Sequence, residues 1–165
     1  MSNPFDLTGK VALVTGGNVG LGQGIALALA EAGADIVSVA LSDSDDTVAR
    51  VKALGRRAHA ISADLTSIEP VERVLKETLD AMGRVDILVN NAGLIRRADA
   101  VDFTEADWDL VMNINLKTVF FMSQAVARQF IKQGDGGKII NIASMLSFQG
   151  GIRVPSYTAS KSGIA

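Results

Sequence analysis

Residues 11–22 constrain the fold of this chain more than any other stretch. Val11-Ala12-Leu13-Val14 is a short apolar run without a polar face, and it leads straight into Thr15-Gly16-Gly17-Asn18-Val19-Gly20-Leu21-Gly22. Beyond it, apolar residues recur at helical spacing (Leu21, Ile25, Leu29) as far as Gly33. A buried strand therefore turns through glycines into a helix. Glycine lets the backbone turn tightly and lets another group come close. The amino end of a helix offers unpaired N–H groups and the positive end of a dipole, which suits a pyrophosphate. Glycines also build plain strand-to-helix turns. The context, strand before and helix after near the amino terminus, favours dinucleotide binding.

The same alternation continues. Ile36 to Val39 reads as a second strand. A helix follows over Asp43–Leu54, with Ser42, Asp43 or Ser44 as its cap and Gly55 as its stop. Ala58–Ala63 is a weaker strand, and Ser67–Met82 a helix capped by Ser67 and closed by Gly83. Val85–Val89 is a strongly apolar strand. Thr104-Glu105-Ala106-Asp107 resembles a capping box and opens a helix to Gln133, with a break admitted near Asn113–Asn115. Lys138–Ile142 is a fifth strand, and Pro155 opens a last helix. Five strands separated by helices predict an α/β fold of the Rossmann type: a doubly wound parallel sheet covered on both faces, forming one domain over residues 1–165. Right-handed crossovers place ligand loops at the carboxyl ends of the strands. No internal repeat, low-complexity segment or linker interrupts the pattern. The chain stops at Ala165, early in a helix with no cap after it, which reads as a truncated carboxyl terminus.

Composition narrows the function. Hydrophobic residues make up 48% of the 165 and charged residues 21%, an ordinary globular balance. A formal net charge of −2 without a basic block argues against nucleic-acid binding. The chain has no cysteine, so thiolate metal sites, thiol nucleophiles and disulfides are excluded, which fits a cytoplasmic protein. One histidine, His59, cannot make a histidine-based metal site and reads as a surface or strand-edge residue. Met1–Asp6 carry no leader pattern, and no run reads as a membrane span.

Tyr157 and Lys161 lie four residues apart in the last helix, on one face. A tyrosine hydroxyl ordinarily titrates at about pH 10, and a neighbouring ammonium favours the phenolate, so such a pair can exchange a proton near neutrality. A tyrosine ring packed over a lysine stem would have the same spacing. Against that reading, Tyr157 is the only tyrosine, and Ser144 stands 13 residues earlier, just past the fifth strand, where a hydroxyl can face the same crevice. Asn90-Asn91-Ala92-Gly93 ends the fourth strand, and Asp64-Leu65 follows the third. Alone, both read as turns or caps. A mid-helix asparagine such as Asn115 otherwise marks a kink or a solvated face.

Taken together, Thr-Gly-x-x-x-Gly-x-Gly at 15–22, Asn-Asn-Ala-Gly at 90–93, Asn115, Ser144 and Tyr-x-x-x-Lys at 157–161 resemble the short-chain dehydrogenase/reductase family over nearly the whole chain. The resemblance implies an oxidoreductase dependent on a nicotinamide cofactor. Tyr157 would be the proton donor or acceptor, and Ser144 would orient the substrate oxygen. Lys161 would lower the tyrosine pKa and hold the nicotinamide ribose, and Asn115 would anchor a relay water. Cofactor contacts are expected from Gly16, Asn18, Gly20, Leu21, Gly22, Asp64, Leu65, Asn91, Ala92 and Gly93, with Tyr157 and Lys161. An acidic residue after the second strand ordinarily selects NAD and a basic one NADP. Here that position is Ala40, while Asp43, Asp45 and Asp46 make the neighbourhood acidic, so NAD(H) is favoured and NADP(H) stays possible. Complete members of the family suggest a homotetramer or dimer.

Arg96 and Arg97 follow the Asn-Asn-Ala-Gly turn, and Arg153 precedes Tyr157 by four residues. A guanidinium fork suits a carboxylate, so an anionic substrate is expected. Pairing with Asp99, Asp102 or a second subunit would occupy the same arginines. Gly93–Asp99 and Ser147–Tyr157 resemble one subgroup of the family, sugar-acid dehydrogenases of bacterial hexuronate breakdown. That resemblance implies a keto sugar acid held by Arg96, Arg153, Ser144 and Tyr157, with Gln149 at a hydroxyl. Gluconate, a 3-oxoacyl carrier thioester, and nucleotide binding without catalysis stay open as alternatives.

Overall fold

The computed structural model describes residues 4–165, so the first three residues of the amino-terminal stretch lie outside it. Five parallel strands form one sheet: β1 (Val11–Thr15), β2 (Asp35–Ala40), β3 (Ala58–Ser62), β4 (Ile87–Asn90) and β5 (Lys138–Asn141). Their spatial order is β3-β2-β1-β4-β5. The order reverses at β1, which pairs with β2 on one side (Val11 opposite Asp35) and with β4 on the other (Ala12 opposite Ile87). A crevice opens at such a reversal, at the carboxyl ends of the strands.

Period-two alternation along the strands assigns the core to two layers. Val11, Leu13, Val37, Val39 and Leu88 face one side, where they meet Val74 of α3 (Val71–Met82) and Met122, Val126 and Phe130 of α5 (Thr118–Gln133). Ala12, Val14, Ile36, Ile87 and Val89 face the other. There they meet Ala26, Leu27 and Ala30 of α1 (Gly20–Glu31) and Val51 of α2 (Asp45–Ala53). Each fully buried Val, Leu, Ile, Met or Phe side chain among them contributes roughly 1.5–3 kcal/mol. The expected doubly wound Rossmann-type sheet is therefore present. His59 sits half-buried on β3 at the sheet edge, as expected.

Several boundaries differ from the sequence reading. α3 begins at Val71, not Ser67, because Pro70 is tolerated only at a helix start and disfavours helix in the residue before it. Ser67 instead accepts the Glu69 N–H at 3.4 Å. α2 begins after Ser44, whose hydroxyl is drawn inward to Ser38 Oγ at 3.0 Å and caps nothing. The run from Glu105 to Gln133 is α4 (Glu105–Met112), a π-helical turn (Asn113–Lys117) and α5, so the break falls where the asparagines stand. Thr104 caps α4 by accepting the Asp107 N–H at 3.2 Å. Contrary to the sequence reading, this helical run is long and apolar enough to cross a membrane by length and composition, though its apolar side packs into the first core layer. The short helix α6 (Leu146–Gln149) had no periodicity to announce it, and α7 (Pro155–Ile164) carries the tyrosine and lysine.

Two buried carboxylates tie the opposite, amino end of the sheet. Asp35 accepts from Arg56 Nη2 at 2.9 Å, the Arg57 N–H at 3.0 Å and Arg57 Nε at 2.8 Å. Asp86 accepts the first N–H of β1, from Val11, at 2.9 Å and both prongs of Arg84 at 2.9 and 2.7 Å. With structural charges at this end, the loops at the carboxyl end are left to form the crevice.

Candidate active site

The glycine loop is built for close approach. Gly16 has φ 63° and Gly20 φ 57°, in the left-handed region that favours glycine. A Cβ on Gly22 would sit 1.9 Å from the Gly16 carbonyl oxygen and 2.5 Å from Asn91 Nδ2. Helix α1 starts there with no side-chain cap and no acidic residue in its first turn, so its leading N–H groups face the crevice without an internal anion. From behind, Thr47 Oγ1 donates to the Gly17 and Asn18 carbonyls at 3.0 and 3.2 Å.

The Asn-Asn-Ala-Gly turn is fastened to that loop. Thr15 Oγ1 accepts the N–H groups of Asn91 and Ala92, both at 3.0 Å. Asn91 Nδ2 donates to the carbonyls of Thr15 and Gly16 at 3.0 and 3.2 Å. A Cβ on Gly93 would come within 2.9 Å of Asn115 Oδ1, so glycine is needed there for contact with the helix. Asn115 is fully buried in the π turn. Its Oδ1 accepts the Leu94 N–H at 2.9 Å, and its Nδ2 donates to the Leu94 carbonyl at 3.0 Å and to Ser160 Oγ at 3.1 Å. The amide thus crosslinks the turn after β4 to α7, one residue before Lys161.

Two adjoining clefts result. The first, about 1100 Å³, is walled by Gly16, Asn18, Leu21, Gly22, Asp64, Leu65, Asn91, Ala92 and Gly93, with Val39 and Ala40 at the end of β2 and Leu41 and Ser42 just beyond it. The second, about 1030 Å³, is walled by Ser144, Tyr157 and Lys161 with Ile95, Arg97 and Ile142. Leu21, Asn91, Gly93 and Leu94 line both clefts. Residues expected to hold a dinucleotide therefore surround one continuous space with those expected to do proton chemistry. Gly20 lies in the loop but not in the wall. Asp64 Oδ1 accepts from the backbone and hydroxyl of Thr66 at 2.9 and 2.7 Å, so this carboxylate also closes a turn.

Lys161 is buried, with its Nζ 5.9 Å from the Tyr157 ring centre and donating to the Ile142 carbonyl at 2.6 Å. Burial holds its ammonium below the ordinary lysine value. Ser144 Oγ accepts the Leu146 N–H at 3.2 Å, which leaves its proton for another acceptor.

The arginines divide. Arg96 Nε pairs with Asp107 at 3.2 Å and Arg153 Nε with Asp99 at 2.9 Å, and neither lines the second cleft. Arg153 also has φ 61°, the only non-glycine positive φ among the described residues, and its carbonyl accepts the Ala98 N–H at 3.1 Å. Arg97 lines the cleft and pairs with no carboxylate among the described residues. Gln149 is exposed and outside the wall. The acidic cluster invoked for NAD(H) is likewise turned elsewhere. Asp43 Oδ1 accepts the Asp45 N–H at 2.6 Å, and Asp46 binds Gln23 at 2.8 Å. The cleft wall at this point is Ala40, Leu41 and Ser42, with Ser42 Oγ bound to Asn18 Nδ2 at 2.8 Å. None of Asp43, Asp45 and Asp46 lines the cleft, so they do not favour NAD(H) there.

Comparison with known proteins identifies the family. The family profile of short chain dehydrogenases matches residues 10–165. The chain is 62% identical over 162 residues to 2-dehydro-3-deoxy-D-gluconate 5-dehydrogenase of Dickeya dadantii, covering 98% of this chain and 64% of that protein. It is 47% identical over 166 residues to the Bacillus subtilis enzyme of the same name, covering 100% of this chain and 65% of that one. A crystal structure from Agrobacterium tumefaciens, assigned as a 2-deoxy-D-gluconate 3-dehydrogenase and containing NADP, superposes with a TM-score of 0.88 at 53% identity, covering 98% of this chain and 64% of that one. The chain thus spans a little under two thirds of the length of these relatives.

Proposed function

The chain belongs to the short-chain dehydrogenase family, and on that premise we propose that it transfers a hydride between a nicotinamide dinucleotide and a keto sugar acid of the 2-dehydro-3-deoxy-D-gluconate or 2-deoxy-D-gluconate type. The observation that carries this reading is the shared wall of Leu21, Asn91, Gly93 and Leu94, which joins the glycine-loop cleft to the cleft of Ser144, Tyr157 and Lys161. The uncapped start of α1, held backbone to backbone against the glycine loop at Gly22, fits a pyrophosphate. A bound nicotinamide supplies or receives the hydride.

The chain's own residues manage the proton and the substrate. In the reducing direction Tyr157 gives its hydroxyl proton to the substrate oxygen while Ser144 donates a hydrogen bond to that oxygen. Lys161, fastened through Ile142, holds a positive charge beside the tyrosine ring. Arg97 is the guanidinium that meets the substrate carboxylate, because Arg96 and Arg153 are already paired.

NADP(H) is admitted beside NAD(H), since Ala40, Leu41 and Ser42 put no carboxylate in the wall and the Agrobacterium relative contains NADP. The exposed apolar groove of Met112, Leu116, Phe120 and Phe121 supports the homo-oligomer, a tetramer or dimer, implied by the resemblance. A chain without cysteine suits the reducing cytoplasm.

Thermal unfolding with NADH and NADPH, followed by oxidation of each against a panel of keto sugar acids, tests the proposal. Stabilisation by a cofactor and turnover of a deoxy keto gluconate are expected. Cofactor stabilisation without turnover of any keto acid would leave a nucleotide-binding module. Turnover of a 3-oxoacyl thioester in place of sugar acids would replace the substrate assignment.

A further inference from the structure

We propose that Ser147 is a positioning residue that holds Ser144 and Lys161 in register across the cleft. The inference rests on the roles given above to Ser144 and Lys161. Ser147 Oγ donates to the Lys161 carbonyl at 2.7 Å and accepts the Ser144 N–H at 3.2 Å. One hydroxyl, with one proton and two lone pairs, thus bridges the backbones of both residues. The Ser147 carbonyl in turn accepts Ser162 Oγ at 2.8 Å. Lys161 is fastened at its other end too, by Nζ to Ile142. The segment from Ile142 to Ser147 and the last turns of α7 are therefore tied at three points, and Ser147 supplies two of them.

Ser147 is not in the cleft wall, so it touches neither substrate nor cofactor space and acts through its neighbours. It is also dispensable for the helix itself. The Lys161 carbonyl keeps an intrahelical partner in the Ala165 N–H at 3.1 Å, so α7 remains a helix without the hydroxyl. What is lost is one of the three ties between the serine loop and α7, and with it the anchor of the Ser144 N–H, while the Ser162 and Ile142 bonds remain. A displacement of about 1 Å at reacting groups costs on the order of 100-fold in rate.

The test compares Ser147→Ala and Ser147→Thr with the unaltered protein in kcat, in KM for each substrate, and in the titration midpoint of Lys161 followed by NMR of its side chain. In Ser147→Ala, kcat is expected to fall about 10- to 100-fold, with the KM for NADPH within about twofold. The Lys161 midpoint should move back up toward the ordinary lysine value as the loosened helix lets water reach the ammonium. Threonine, which keeps the hydroxyl, should restore most of both. Unchanged kcat and Lys161 midpoint in Ser147→Ala would overturn the proposal, as would equal losses in Ser147→Thr. Should the alanine variant not fold, Ser147→Cys, similar in size with a weak donor, reads the same quantities. The Lys161 titration needs no turnover. A Ser147-dependent midpoint in a protein inactive on sugar acids would sink the substrate assignment alone.

Discussion

Gly22 stands against Gly16 so closely that a single added carbon would lie 1.9 Å from the Gly16 carbonyl oxygen. The first turn of α1 and the phosphate loop are thereby packed backbone to backbone, with no side chain between them. Gly22→Ala must push the loop away. The expected result is NADPH binding weakened at least tenfold, about 1.4 kcal/mol, with a lowered melting temperature. Calorimetric titration reads the first and a thermal scan the second. Binding unchanged within twofold would mean that the loop does not set the cofactor site.

Thr15 couples the same loop to the fourth strand's turn. Its hydroxyl accepts two backbone N–H groups, from Asn91 and Ala92, in a buried setting. Thr15→Val keeps the shape and removes the acceptor. Leaving buried donors unpaired costs about 1–3 kcal/mol each. Denaturant unfolding should show a loss of at least 2 kcal/mol, about the sum of two modest penalties, whereas a loss under about 0.5 kcal/mol would show that water replaces the bonds.

Arg97 and Arg153 should behave differently. Arg97→Ala removes a cleft guanidinium with no carboxylate partner of its own among the described residues. A lost charge-assisted bond of about 1.5–3 kcal/mol raises the KM for a sugar acid roughly 10- to 100-fold. Arg153→Ala breaks an exposed pair with Asp99, worth at most about 1 kcal/mol, and should leave that KM within about fivefold. Steady-state kinetics that reverse this order would return the carboxylate site to Arg153.

Asp35 and Asp86 set the acid limit of stability. Burial pushes each carboxyl up, but hydrogen bonds and charges outweigh it, from Arg57 and Arg56 at Asp35 and from Arg84, Val11 and Lys10 at Asp86. Both finish below the ordinary carboxylate value. A depressed folded-state pKa contributes stability that is fully present above the unfolded value and is lost as pH falls through the folded one. Stability measured by urea unfolding should therefore decline below about pH 4, the unfolded carboxylate value, and Asp35→Asn should flatten part of that decline. Lys161 works in the same direction on the alkaline side. With its folded value depressed by burial, the folded state releases its proton first, and stability gains as pH rises toward the ordinary lysine value.

Much of this arrangement is legible in the chain because it depends on local chemistry. Val11–Val14 and the glycines after it announce a strand, a turn and a helix start, and Tyr157 and Lys161 share a helix face by spacing alone. What spacing does not carry is the choice of partner. Nothing in the sequence distinguishes Arg97 from Arg96, and only the fold brings Asp107 to one of them. Asp43 looked like a cofactor selector because it follows the second strand, yet its carboxylate closes the turn into α2. Ser147 gave no signal, since its partners lie in a loop and on a helix 14 residues away.

The most direct test of the central claim is turnover by Tyr157→Phe, measured as NAD(P)H oxidation with a deoxy keto gluconate. The substitution removes one hydroxyl oxygen and leaves the ring beside Lys161. The expected result is a kcat lower by a factor on the order of 100 to 10,000, with NADPH affinity within about twofold of the unaltered protein. Turnover retained at more than about a tenth of the original rate, well short of a general acid's usual contribution, would contradict the assignment of Tyr157 as the group that moves the proton.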